Sequence, residues 1–426
     1  MKSLLALLIV SFSTFLPAQT PEASNRATDK TTLSPAEQSI ASAKKEIAKK
    51  PASYFGYNQL AIALSRRARE TSDVTFYAEA EDALKRSFEL SPDNMEAEKI
   101  HVWLLLGRHE FPTALEAATA LHKRAADDVL VYGFLVDANA ELGNYSAAED
   151  AAQWMLNIRP GNLPGLTRAA YLRELFGDVE GAYELMDMAY QATVPTETED
   201  RAWILSQMGH LRFIEGRTDE ADSILSQALT VFRGYHYALG NLAKVRIAQR
   251  RYDEAVTLFQ QRYQAAPHAE NLYELAEALQ LAGHLDDAKN AFAEFETKSL
   301  AESSRKDNSS RELVFYYADH AHEPAKALEI ASQEFAWRHD VYTLDAYAWA
   351  LHVNGEDTEA RTQISRALAV GIRDAKLFAH AGAIALKLGD RENAERFLSE
   401  SISLHSTGSE QARVLLASLG NSAPRK

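Results

Sequence analysis

One segment of the chain carries residue types that could bind a metal ion. His320, His322 and Glu323 lie within four residues of each other, and imidazole and carboxylate groups are ligands of zinc. Residues two apart on a helix point to different sides, so His320 and His322 could share a metal only in a turn. We interpret the segment as a polar turn between helices, and we expect neither a bound metal nor a cofactor.

The motifs of common enzyme classes do not occur in the sequence. Its glycines are single, so they form no glycine-rich phosphate loop, and neither G-x-S-x-G nor H-E-x-x-H is found. The chain has no cysteine, which excludes disulfides, thiol nucleophiles, cysteine-bound zinc and iron–sulfur clusters. We therefore predict a protein that is not an enzyme.

The charge of the chain limits its partners. The formal net charge is −15, from 60 acidic and 45 basic residues. Nucleic-acid binding needs clustered Lys and Arg against phosphates, and anionic lipid has the same requirement. An excess of carboxylates keeps a protein soluble. We expect no nucleic-acid partner, and membrane contact only if the N-terminal segment is not cleaved.

The first residues form the pattern of a secretory signal peptide. Lys2 precedes an apolar run from Leu4 to Leu16, and Pro17-Ala18 follows. A short basic start, an apolar core of about 7–15 residues and a small residue at its end are typical of such a peptide. We predict cleavage after Ala18 and a periplasmic or secreted protein. The run is short for a membrane span, but an uncleaved membrane anchor is the alternative.

Most of the remaining chain repeats one pattern about every 34 residues. Residues 129–162 show it best: one helical apolar pattern, then Gly143, then a second helix with Tyr145, Ala148 and Ala152 on one face. A glycine just past a helix supplies a left-handed cap. The alanine at the position of Ala148 returns in every unit, as Ala80, Ala114, Ala148, Ala182, Ala221, Ala255, Ala288, Ala327, Ala360 and Ala394.

A helix–turn–helix unit of about 34 residues with this pattern resembles the tetratricopeptide repeat. The resemblance covers roughly residues 54–405, about ten repeats. It implies an all-α, right-handed superhelix of paired antiparallel helices, in which each repeat buries its apolar face against its neighbours. Small residues at the repeated alanine positions let two helices approach closely, so a larger side chain there would push them apart.

The segments around this array have their own predicted roles. We assign residues 1–18 to the signal peptide, 19–34 to a flexible linker, and 35–53 and 406–426 to helices that cap the two ends of the array, the latter with a tail. Two longer steps between the repeated alanines predict longer loops at residues 192–200 and 299–310.

The resemblance also implies where a partner would bind. Stacked repeats place one face of every first helix on the concave side, and exposed aromatic residues there favour protein contacts. Several of these side chains could instead pack between adjacent repeats. The candidate groove residues are Asn58, Asp137, Tyr171, Trp203, His210, Phe213, Tyr237, Lys244, Tyr273, Glu277, Tyr342, Asp345, Trp349 and His352.

The function implied by the resemblance is a non-catalytic scaffold that binds a protein or peptide outside the cytoplasm. Family members that clamp a C-terminal carboxylate use Lys and Asn four residues apart, and pairs such as Thr167/Tyr171 and Gly240/Lys244 do not fit. The apolar and acidic groove favours an extended segment that is basic or packs on aromatic rings. The alternatives are a membrane-anchored repeat protein and a protein that binds a ligand or metal through groove carboxylates and histidines.

Overall fold

Helices with short connections make up nearly all of the structure, a computed structural model that describes residues 33–303, 311–404 and 409–421. The predicted signal peptide and most of the predicted linker lie outside the described residues. The helices are α1 (Pro35–Lys49), α2 (Tyr54–Thr71), α3 (Thr75–Leu90), α4 (Met95–Gly107), α5 (Phe111–Arg124), α6 (Val129–Glu141), α7 (Tyr145–Ile158), α8 (Leu163–Leu175), α9 (Val179–Ala192), α10 (Thr198–Ile214), α11 (Thr218–Val231), α12 (His236–Ala248), α13 (Tyr252–Ala265), α14 (Ala269–Leu281), α15 (Leu285–Ser303), α16 (Arg311–Phe315), α17 (Pro324–Phe335), α18 (Val341–Val353), α19 (Asp357–Leu368), α20 (Ala375–Lys387), α21 (Arg391–Ser403) and α22 (Ser409–Asn421).

The helices from α2 to α21 pack as consecutive pairs, and each pair packs against the next. Helix α1 packs on α2 at one end of this array, and α22 packs on α20 and α21 at the other. The part of the chain that the structure describes contains no β-strand. The predicted all-α solenoid of helix pairs is therefore confirmed.

The turn between the two helices of a pair uses a left-handed residue. Six of the glycines that precede the repeated alanines have φ between 76° and 83°: Gly143, Gly177, Gly216, Gly283, Gly355 and Gly389. Three other pairs place His109, Arg250 or His322 at this position, with φ of 58°, 61° and 54°. His322 is thus part of a helix–helix turn, because its backbone supplies the cap that glycine supplies elsewhere.

The repeated alanines lie where the helices come closest. Nine of the ten are 0% exposed and Ala288 is 4% exposed. Two first helices have glycine at the facing small-residue position, and a Cβ on Gly209 would lie 2.5 Å from Cγ of Leu225. A Cβ on Gly382 would lie 2.6 Å from Cγ of Leu398. Since such distances are below van der Waals contact, the helices are already at their limit of approach.

Two regions depart from the sequence expectations. The predicted loop at residues 299–310 is wrong for its first part, because α15 continues through Ser303, and residues 304–310 lie outside the described part. The eighth pair begins with the short helix α16, which passes into a π-helical turn, Tyr316–His320. Such turns insert an extra residue per turn and occur often at functional sites.

Later repeats of the superhelix return to contact earlier ones. Arg338, just before α18, donates to the backbone oxygen of Glu141 at 3.2 Å and forms an ion pair with its carboxylate. The Val341 amide donates to the Tyr145 hydroxyl at 2.8 Å. These bonds join the end of α6 and the start of α7 to residues nearly 200 positions later. Helix pairs that are distant in sequence therefore form a second kind of interface.

Two further contacts of this kind involve other repeats. Arg69, near the end of α2, forms ion pairs with Glu199 and with Asp200, the latter at 2.7 Å. The Arg69 backbone oxygen also lies 3.0 Å from Nε2 of His236. At the other end, a Cβ on Gly177 would lie 2.5 Å from the backbone oxygen of Gly371. Within the described residues, these contacts join successive turns of the superhelix.

A charged side chain at a repeated alanine should separate neighbouring repeats. We expect Ala148→Glu to lose the single cooperative unfolding transition, because the carboxylate cannot fit where Ala148 is 0% exposed. Circular dichroism during thermal unfolding measures this. Ala147→Glu is the matched control, since Ala147 is exposed. A single sharp transition in Ala148→Glu would contradict the packing described above.

The ion pair between Arg338 and Glu141 should make stability depend on pH in a defined direction. Burial raises the pKa of Glu141, and Arg338 opposes this rise. Arg338→Ala leaves the carboxylate unpaired, and we expect the free energy of unfolding to fall by about 3 kcal/mol near pH 8. Because the pKa of Glu141 then rises further, the carboxyl is protonated as the pH falls, and the loss should be smaller near about pH 5.

Urea denaturation of Arg338→Ala and of the unmodified protein at both pH values measures this difference. The control is the double variant Arg338→Ala/Glu141→Gln, which should lose the part of the pH dependence that comes from Glu141. Glu334 and Asp340, which pair with Arg338 at 3.2 and 2.8 Å, are present in both variants and therefore cancel in the comparison. An equal loss of stability at both pH values in the single variant would show that the charge on Glu141 does not depend on Arg338.

Candidate partner-binding site

Many predicted groove residues form polar contacts between consecutive first helices. Asp137 on α6 pairs with Arg168 on α8 at 2.6 Å. His210 on α10 lies 2.9 Å from the Glu174 carboxylate on α8. Each contact joins one repeat to the next, so the concave surface is partly a structural interface. These side chains are already held by other residues of the same chain when no ligand is present.

The same series continues through the last repeats. Glu277 on α14 lies 3.9 Å from His320 in the π-helical turn. The Trp349 indole donates to Asp319 at 2.8 Å, and Asp345 on α18 lies 2.8 Å from His380 on α20. The π-helical turn therefore supplies a partner to each neighbouring repeat. The structure gives His320 and Asp319 this role in packing, which the sequence pattern did not indicate.

Other predicted groove residues are buried in the repeats themselves. Asn58 is 6% exposed and accepts a hydrogen bond from Ser87 at 2.6 Å. Phe213 and Tyr273 are 5% and 3% exposed within hydrophobic clusters. Trp203 is half-buried against another cluster. A partner could reach Asn58, Phe213 and Tyr273 only after the repeats had moved apart. Trp203 keeps part of its surface exposed.

The remaining predicted residues lie on the interior of the superhelix. Tyr171 donates to Glu141 at 3.4 Å, and Lys244 pairs with Glu274 at 2.9 Å. The Arg311 guanidinium lies over the Tyr342 ring, 5.2 Å from its centroid. His352 lies 2.5 Å from Asp357 on the following helix. Tyr237 differs, because its ring contacts His236 but its hydroxyl has no hydrogen bond within the described residues.

Tyr237 lines a cavity of about 300 Å³ between the first repeats and α12 to α16. Sequence analysis missed most of its other lining residues, including Tyr77, Trp103, His109 and Glu270. These side chains come together because later repeats fold back on the first ones, which the projection of a single repeat does not show. An aromatic and polar lining of this size is typical of sites that bind small ligands or side chains.

The buried histidines near this cavity are uncharged at neutral pH. Burial lowers the pKa of His109 to about 4, with a further contribution from Arg338. Burial also lowers the pKa of His236 to about 4. Glu270 is ionised, because the nearby cations, first Arg262 and then Arg311, outweigh the effect of burial and lower its pKa. The cavity therefore combines the neutral imidazole of His109, aromatic rings and the charged carboxylate of Glu270.

The described residues hold neither a cluster suited to a metal ion nor a helix suited to a membrane. In them, no group of three or more His, Cys, Asp or Glu side chains is placed to hold a metal ion. None of the described helices is both long and apolar enough to cross a membrane. The predicted N-terminal segment, residues 1–18, lies outside the described part of the chain.

Comparison of the sequence with protein families gives one match, to the tetratricopeptide repeat, over residues 200–268. This segment spans α10 to α13, which are two of the helix pairs described above. These two pairs are similar to tetratricopeptide repeats, a type of helical scaffold that generally serves protein interaction. No curated protein matches it in sequence.

Solved structures with a similar arrangement of helices are distant in sequence from this chain. Human IFIT1, solved as a dimer with PPP-AAAA, is 12% identical, with 88% of this chain and 96% of that chain covered and a TM-score of 0.48. Yeast Tom70 is 14% identical, with 91% and 96% covered and a TM-score of 0.41. The type IV pilus biogenesis factor PilW is 14% identical, with 48% and 93% covered and a TM-score of 0.41. Likeness at this level says nothing about function.

Proposed function

We propose that this protein is a non-catalytic scaffold outside the cytoplasm that binds an extended segment of another protein in the interior of its superhelix. One observation carries the proposal: Tyr77, Trp103, Tyr237 and Glu270 line one cavity, and their polar side-chain atoms have no hydrogen-bond partner within the described residues. Most of the concave surface is held by contacts between repeats, so the cavity is where binding groups remain free. Aromatic residues in such a place supply contact area at low entropic cost.

The location outside the cytoplasm rests on the N-terminal sequence. Lys2, the apolar run from Leu4 to Leu16 and the small residue Ala18 are supporting observations for export. The lack of cysteine agrees with an oxidising compartment. An uncleaved segment would make the protein membrane-anchored instead, with the repeat array unchanged.

Photo-crosslinking at Tyr237 tests where the partner binds. We replace Tyr237 with p-benzoylphenylalanine in the full chain and irradiate the cells in which it is expressed. A bound segment should give a crosslinked product of higher mass, because the reactive ketone lies in the cavity that Tyr237 lines. Gel electrophoresis and mass spectrometry identify the product.

The control places the same photoreactive residue at Leu285, which is 64% exposed at the start of α15. Products from position 237 alone support binding in the interior. Products from position 285 alone, or from neither position, contradict it.

N-terminal sequencing of the protein purified from its host tests export. Cleavage by signal peptidase should give a mature chain that begins at Gln19, after Ala18. A protein that retains Lys2 and fractionates with the membrane would support the anchored form. A protein that retains Lys2 and stays in the cytoplasm would contradict both forms.

A further inference from the structure

The cavity beside Tyr237 contains several polar groups without a partner. Tyr77, Trp103, Tyr237 and Glu270 all line it. Within the described residues, none of these four side chains makes a hydrogen bond or an ion pair. Buried Tyr and Trp side chains usually have a partner for their polar atom. The cavity therefore offers one carboxylate and three aromatic hydrogen-bonding groups to a ligand.

The charges around the cavity leave Glu270 unpaired. Arg69 is matched by Glu199 and Asp200, and Arg311 is matched by Glu312 at 2.9 Å. Lys244 and Arg262 both pair with Glu274. Among these charged groups, Glu270 is the carboxylate that has no ion pair within the described residues, although Arg262 and Arg311 lie near enough to lower its pKa against the effect of burial. The cations are Arg69, Lys244, Arg262 and Arg311, and the carboxylates are Glu199, Asp200, Glu270, Glu274 and Glu312.

An anionic ligand does not suit this arrangement. Arg69, the cation that lines the cavity, is already neutralised by two carboxylates. His109, which also lines it, is uncharged at neutral pH, since burial lowers its pKa to about 4. A bound anion would face the Glu270 and Glu312 carboxylates, which line the same cavity. A bound cation would meet the Glu270 carboxylate, which lines the cavity and has no ion pair within the described residues.

We infer that the cavity receives the side chain of a lysine or arginine from the bound segment. Its ammonium or guanidinium group pairs with the Glu270 carboxylate, and its aliphatic stem packs along Trp103 and Tyr237. Aromatic faces attract cations, most strongly when the site is shielded from water. A cavity of about 300 Å³ has room for one such side chain and part of its backbone. The Tyr77 and Tyr237 hydroxyls can then donate to backbone carbonyls of the segment.

This inference rests on the proposed function, because it names the chemistry of the segment that the interior binds. The same chemistry could also come from a free alkylamine, such as 1,5-diaminopentane. A free amine has no backbone carbonyls, so it cannot use the tyrosine hydroxyls or the Trp103 indole in the same way. The two sources are therefore distinguishable by comparing the free amine with a peptide.

Isothermal titration calorimetry with short peptides tests the inference on the unmodified protein. The probes are a blocked Gly-Ser-Lys-Ser-Gly peptide, its norleucine analogue and 1,5-diaminopentane. We expect the lysine peptide to bind at least about tenfold more tightly than the other two, because only it has both the cation and the backbone. Equal binding of the norleucine analogue would overturn the role of the cation. Equal or tighter binding of the amine would overturn a protein segment as the source.

The variant Glu270→Gln tests the carboxylate with nearly the same shape. The variant should bind the lysine peptide about tenfold or more weakly than the unmodified protein does, and its affinity for the norleucine peptide should be unchanged. Glu329→Gln is the matched control, because Glu329 is exposed on α17 and loses the same charge. Unchanged affinity of the lysine peptide in Glu270→Gln would overturn the inference. Because the peptide comparison uses unmodified protein, it decides the question even if the variant unfolds.

Photo-crosslinking separates this inference from the proposed function. The Glu270→Gln variant with p-benzoylphenylalanine at position 237 should lose most of its crosslinked product. If the product forms undiminished while position 285 still gives none, the interior binds a partner but Glu270 does not select it. If neither protein gives a product from position 237, the proposed function itself fails.

Discussion

The structure depends on the close approach of two helices at one small residue in each repeat. Where Ala148 and its counterparts lie, the side chain has almost no exposed surface, and the helices have no room for a larger one. Each pair leaves apolar surface that only the next pair can cover, so the array is stable as a whole rather than repeat by repeat. The regular stacking that results also sets the curvature of the superhelix.

That curvature brings later repeats back to earlier ones. Arg338 reaches Glu141, Arg69 reaches Asp200, and the turn at Gly177 meets Gly371. Two of these contacts bury paired charges. Removing one partner leaves the other charge buried without compensation, which lowers the free energy of unfolding. The return of the chain also creates the cavity beside Tyr237, which no group of neighbouring repeats could form alone. The proposed binding site is thus a consequence of long-range packing.

The repeats could be predicted from the sequence because their period depends on interactions within one helix pair. The repeated alanines and the left-handed glycines are set by helix packing and turn geometry within one unit, and both appear in the sequence. The candidate groove was harder to predict. One helix face contains both residues that join neighbouring repeats, such as Asp345, and residues that face the cavity, such as Tyr237. Trp103 and Glu270 line the cavity only because repeats that are distant in sequence come into contact. No local sequence pattern indicates that contact.

The central claim is that successive turns of the superhelix touch in solution, and a distance measurement across one contact tests it most directly. Because the chain has no cysteine, Asn144→Cys/Ala336→Cys gives a unique pair of spin-label sites beside the contact between Glu141 and Arg338. Electron double resonance should show one narrow, short distance distribution, and adding Arg338→Ala should broaden it toward longer distances. A broad, long distribution in the protein with Arg338 intact would show that the turns stand apart, and it would contradict both the packing and the cavity.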